Sequence, residues 1–362
     1  MQHPASGTAG HRRARRSVGL LLVVALLPFL VPTGAPAAPP DLQPIALKVA
    51  QEFVLPRYME LATDAAAERD AWDRFCRQGA DIAALDHAYY ETADAWSAIE
   101  ILHYGPIGIG VRHERMAHWP ERKNAVDKAL TALLAHDDLA GMTPEAFAQT
   151  SVAGQGLSAL ERLLFDPENR QALTTGPEAA KRCAAGKLIA TSLATIAGEV
   201  SLEWSASDGP VASLGAGDPA KAKLMVTRIA TDLLSIYQLV GDMKLDAIMG
   251  ESAELARPAL AEGRRSARSS RALQLDLEAA RELTRLLIGT SPDAAPILAA
   301  LDEGIVLTDA LPPDFGPLAL EPAGRAELAL IRQQVREARD LSNATVPAVL
   351  GVTLGFNSLD GD

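Results

Sequence analysis

Residues 177–206, PEAAKRCAAGKLIATSLATIAGEVSLEWSA, read as one long helix. Pro177 suits a helix start, where its missing N–H costs nothing and its fixed φ is already helical. Leu188, Ile189, Leu193, Ile196 and Val200 recur three and four residues apart, an apolar stripe of the kind a bundle buries. The rest of the chain repeats this character. It is 48% hydrophobic but only 4% aromatic, with alanine and leucine dominant, which favours close-packed helices over strands rich in β-branched and aromatic residues. The expected fold class is all-α.

Working outward, helices are expected near 42–61, 64–77, 80–103, 121–136, 143–150, 155–165, 177–206, 217–248, 272–289, 294–304 and 322–344. Helix breakers punctuate them at Gly105-Pro106, Trp119-Pro120, Gly176-Pro177, Gly209-Pro210, Ser291-Pro292 and Pro312-Pro313. The Ser, Gly, Asp and Pro-rich stretch 205–218 reads as a linker, dividing the chain into helical bundles at 38–206 and 207–362.

Residues 1–37 read as a signal peptide. His11-Arg12-Arg13-Ala14-Arg15-Arg16 is basic, Leu20 to Val31 is apolar, and Ala35-Pro36-Ala37 suits cleavage. Arg15-Arg16-Ser17-Val18-Gly19-Leu20 matches a twin-arginine signal only loosely, so the general secretory route is favoured. No cysteine follows for lipid attachment, and no later apolar run is long enough to span a membrane. A soluble periplasmic or envelope location is expected. Processing removes four arginines and no acidic residue, moving the net charge from −12 to −16. Such acidity disfavours nucleic acid as a partner and is compatible with a solvated surface or with cation attraction. Cys76 and Cys183 are the only cysteines. In an oxidising compartment they are expected to form a disulfide.

Candidate site residues begin in Ser151–Phe165, SVAGQGLSALERLLF. Leu157, Leu160 and Leu164 define a buried stripe, and Ser158 and Glu161, three residues apart, set a hydroxyl beside a carboxylate. Glu161 either pairs with a basic side chain across a helix interface or serves as a ligand. Glu100 and His103 stand at i and i+3, a spacing that can chelate a metal on a helix and also occurs by chance. The mature chain's five histidines, His87, His103, His113, His118 and His136, all lie in the first half, and no His-Glu-x-x-His signature exists. The arginine-rich run Arg257 to Ser269, with Arg264, Arg265, Ser266, Arg268 and Ser269, can clamp an anionic ligand, dock on the acidic first half, or be a solvated turn.

Several of these segments together resemble the imelysin family of bacterial cell-envelope proteins, linked to iron uptake and once classed as metallopeptidases. Gly156-x-Ser158-x-x-Glu161 is similar to the family's Gly-x-His-x-x-Glu signature, with serine in place of histidine. Trp96 to Pro106, Glu114 to Asn124, Asp242 to Leu245, Arg257 to Ser269 and the tail Leu354-Gly355-Phe356-Asn357-Ser358-Leu359-Asp360-Gly361-Asp362 resemble further family segments. The likeness runs from Trp72 to the last residue. It implies two helical-bundle halves packed around a central cleft that the Gly156–Glu161 helix faces. The expected cleft residues are Ser158, Glu161, Glu100, His103, Arg265, Ser266, Ser269, Asn357 and Asp360.

As a cofactor the resemblance implies iron or another divalent metal, with Glu161 as ligand, although neutral serine is a poor substitute for the motif histidine. The leading expectation is a non-catalytic secreted binding protein holding a metal ion or small ligand in the cleft. The alternative is an envelope scaffold or receptor, its metal site lost, that binds a protein or organic ligand. A metallopeptidase would need three ligands, an open coordination position and a general base, a set the sequence does not supply.

Overall fold

The computed structural model describes residues 40–355. The expected signal peptide, and Asn357 and Asp360 of the tail, lie outside the described residues. Every regular element among the described residues is helical.

The chain begins with α1 (Gln43–Val49), which passes through a widened π-type turn at Ala50–Val54 into α2 (Leu55–Gln78). The turn comes just before Pro56, whose ring would collide with the carbonyl four residues back in a regular helix. The break expected at 62–63 is absent, because no glycine or proline interrupts the chain there and the Thr63 hydroxyl donates to the Met59 carbonyl within the helix. Next comes α3 (Ile82–Ser97), capped by the Asp81 carboxylate on the Ala83 N–H. It ends six residues short of the expected 103. Ile99, Glu100, Ile101 and Leu102 are all buried, and no single face of a helix can bury four consecutive side chains.

Short helices α4 (Arg112–Met116), α5 (Ala125–Leu134) and α6 (Pro144–Ala148) lead to α7 (Leu157–Phe165) and α8 (Pro167–Thr174). The long helix expected at 177–206 is α9 (Ala179–Ser205). It has the length and apolarity of a membrane span, but its stripe residues Ile189, Leu193, Ile196 and Val200 are buried in the core, where it packs along α2. The Cys76–Cys183 disulfide joins these two helices with Cα atoms 5.7 Å apart. One turn further, Gly186 leaves room for the fully buried Trp72. A Cβ there would lie 2.2 Å from the indole.

The stretch read as a linker contains α10 (Pro210–Gly215), packed on α9 and α1. Then come α11 (Pro219–Gln238), a second π-type segment at Leu239–Asp246, α12 (Ala247–Met249), α13 (Ser269–Ile288), α14 (Ala294–Asp309) and α15 (Pro322–Leu350). Helix α1 packs against α11 and α13, and α3 against α13. The bundles expected at 38–206 and 207–362 therefore share one continuous core, from Phe53 and Trp72 to Leu283 and Val335.

Candidate functional site

Helix α7 is positioned by a close backbone approach. A Cβ on Gly156, its N-cap, would lie 2.4 Å from the Met116 carbonyl oxygen, so only glycine lets the two segments touch. Leu157, Leu160, Leu163 and Leu164 bury the inner face. Ser158 is half-buried, and its Oγ accepts a hydrogen bond from the His118 N–H at 3.2 Å. Arg162 donates to Glu121 (2.8 Å) and Asn124 (2.9 Å), tying the 118–124 loop, with its cis Trp119–Pro120 peptide, to α7.

Glu161, 6% exposed, faces the second half of the chain. Its Oε1 accepts from the Ser266 N–H (3.1 Å) and the Ser266 hydroxyl (2.9 Å), and Oε2 lies 3.9 Å from Arg265 Nη1. Arg265 Nε also donates to Asp166 at 2.7 Å, just past the end of α7. Burial raises the Glu161 pKa above the usual carboxylate range, against the opposing hydrogen bonds from Ser266 and the charges of Arg265 and Arg264.

A second cluster centres on Lys244, in the π-type segment. Its ammonium, 2% exposed, lies 2.7 Å from Glu100, 2.6 Å from Glu262 and 2.6 Å from Asp276, with the Trp119 ring 5.6 Å away. Burial opposes its charge, but Asp276, Glu100 and Glu262 outweigh burial and hold its pKa well above the ordinary value. Burial, with like charge from its neighbours, raises Asp276 well above its usual range and Glu262 to about 7.

The i, i+3 pairing of Glu100 with His103 does not survive, because both residues lie beyond the end of α3. Glu100 turns to Lys244. His103 stacks on His113 with ring centroids 4.1 Å apart, and its Nδ1 lies 2.9 Å from the Ile101 carbonyl. Burial, assisted by His113, pushes His103 down to about 4, so it is neutral near pH 7. The His103 N–H donates to Asp232 of α11 at 3.2 Å, and burial raises that carboxyl to about 7.

Between these segments lies a cleft of about 780 Å³. Of the expected site residues, Ser158, Glu161, Arg265 and Ser266 line it; Glu100, His103 and Ser269 do not. Ser269 is buried and its hydroxyl has no hydrogen-bond partner.

The comparisons with known proteins agree with this architecture. A sequence model of the family described as imelysin matches residues 54–339. The chain belongs to the imelysin family. Its fold is similar to that of an imelysin-like protein from Psychrobacter arcticum 273-4 (TM-score 0.71, 17% identity, 87% of this chain and 97% of that one). It is also similar to a putative iron-regulated protein A precursor from Parabacteroides distasonis ATCC 8503 (TM-score 0.65, 15% identity, again 87% and 97%). No curated protein sequence matches the chain.

The imelysin resemblance implies a divalent metal at Glu161, and the donors present do not fit a bare ion. Among the described residues no group of three or more His, Cys, Asp and Glu side chains is placed to hold a metal. Ser158 stands where the imelysin motif has histidine, Glu161 is engaged by Ser266, and Glu100 already carries an ammonium. Lys244, Glu262 and Asp276 do not stand out in the sequence as a cluster. One signal was available: Asp276 lies three residues after Leu273 and four before Ala280, a charge set into the apolar stripe of α13.

Proposed function

We propose that this imelysin-family chain is an exported, non-catalytic binding protein that works in iron handling at the cell envelope and holds its ligand in the cleft beside α7. Export is supported by the basic and apolar N-terminal sequence and by the disulfide, which suits an oxidising compartment. The iron link is supported by the family and by the words "iron-regulated" in the description of the Parabacteroides neighbour. The observation that carries the reading is the cleft itself: a concave cavity in the size range of small-molecule sites, with the carboxylate of the family motif in its wall.

Calorimetric titration of ferrous ion, ferric chelates, zinc and copper into the mature chain from Ala38 onward, beside a Glu161→Ala variant, tests it. One equivalent of iron should bind as a chelate, with affinity reduced roughly tenfold or more in the variant, as expected when a buried charge-assisted network is broken. Failure of iron to bind in any form would remove the iron link.

A further inference from the structure

Among the described residues, the acidic and basic side chains in the cleft wall that lack an ion-pair partner are all cations. The side chains of Arg122 and Lys123 from one loop and of Arg257 from another line the cavity and make no ion pair or hydrogen bond among the described residues, and the Arg264 side chain donates only to the Ala259 carbonyl at 3.2 Å. The wall's carboxylates, by contrast, are engaged. Glu161 accepts from Ser266, Glu121 from Arg162 and the Val126 N–H, Asp94 from Arg271, and Glu262 meets Lys244. Asp242 lies 3.9 Å from Arg339.

One neutral group follows the same pattern. The Ser158 oxygen accepts from His118, which leaves the hydroxyl proton to be donated. Where the family motif carries an imidazole able to ligate a metal, this chain carries a hydrogen-bond donor.

A cleft bordered by Arg122, Lys123 and Arg257, whose side chains have no ion-pair partner, in a chain whose expected processed form has a net charge of −16, concentrates anions against the overall charge of the molecule. Guanidinium groups match carboxylates in a bidentate geometry. A cavity of about 780 Å³ admits a small multiply charged acid or a metal complex of one. We propose that the cleft takes a small polycarboxylate anion, free or as its ferric chelate, rather than a bare divalent cation. The inference rests on the cleft being the ligand site, as above, and adds the chemical class of the ligand.

The test is calorimetry on the mature chain with citrate, ferric citrate and ferrous sulfate as separate probes, repeated at raised salt and with an Arg257→Gln/Arg264→Gln double variant. Both side chains lie outside the core, and circular dichroism and thermal melting verify that the variant folds. One-site binding of citrate or ferric citrate is expected, weakened roughly tenfold or more in the double variant and weakened by salt. Ferric citrate binding with citrate silent identifies the chelate as the source. Equal binding of both supports the anion site and removes the iron link proposed above. Ferrous ion binding with both anions silent overturns the anion proposal and leaves the iron link standing. Silence of every probe, or anion binding unchanged in the double variant, also overturns it.

Discussion

At the scale of single residues, Lys244 carries stability that depends on charge. Its ammonium neutralises part of a three-carboxylate cluster that apolar packing alone would expel. Replacing it by methionine keeps much of the volume and strands Glu100, Glu262 and Asp276 together. The expected loss is about 3–5 kcal/mol near neutral pH, by analogy with other broken buried ion pairs. Glu262 and Asp276 have raised pKa values, so they take up protons as the pH falls toward 5, and the loss should shrink there. Denaturant titration of Lys244→Met at the two pH values checks this, and an equal loss at both would refute the electrostatic account. The sequence displayed Lys244 without its meaning, because its three partners come from three different segments, one of them Glu100 in the first half of the chain.

Among the elements, α7 and its approach to Met116 decide where the cleft lies. The helix, its apolar stripe and its glycine-rich start were legible in Ser151–Phe165. What the glycine is for was not, since the carbonyl it accommodates belongs to a segment forty residues earlier. Gly156→Ala should cost about 2 kcal/mol, within the usual range for overpacking a tight contact. It should also change the fluorescence of Trp119, which lies in the loop tied to α7 by Arg162. A thermal melt and an emission spectrum would check both, and an unchanged pair of readings would mean that the two segments separate at no cost. The early end of α3 teaches the same lesson. Hydrophobic residues at 99, 101 and 102 favour continuing the helix by propensity, but the core takes all of them together with Glu100, which a helix cannot supply.

For the whole molecule, buried carboxyls set the pH dependence. Burial outweighs the nearby Thr92 hydroxyl and lifts Glu68 from an ordinary 4.5 to about 8, and Asp232 stands at about 7. The folded chain keeps these protons over a range in which the unfolded chain has lost them. Their contribution is therefore fully present below the ordinary carboxylate pKa and declines as pH rises from about 5 to about 8. Glu68→Gln removes one of these contributions. It should flatten the decline and raise stability near neutral pH by an amount on the order of 3 kcal/mol. Urea melts of both proteins across that range would decide, and parallel pH profiles would show that Glu68 ionises freely in the fold. The disulfide acts at the same scale. It closes a loop of 107 residues between α2 and α9, which in the chain-entropy model restricts the unfolded ensemble by about 4–5 kcal/mol.

The sequence alone determined the all-α class, most helix positions, the single cysteine pairing and the family, because apolar period, helix breakers and motif spacing are local or additive properties of the chain. Tertiary structure alone decided that Glu161 faces Ser266, that Glu100 meets Lys244 rather than His103, and that unpaired arginines border the cleft. These depend on which remote segments are brought within a few ångströms, and on whether burial or a partner prevails at each charge. Neither is encoded in the spacing of residues along one helix.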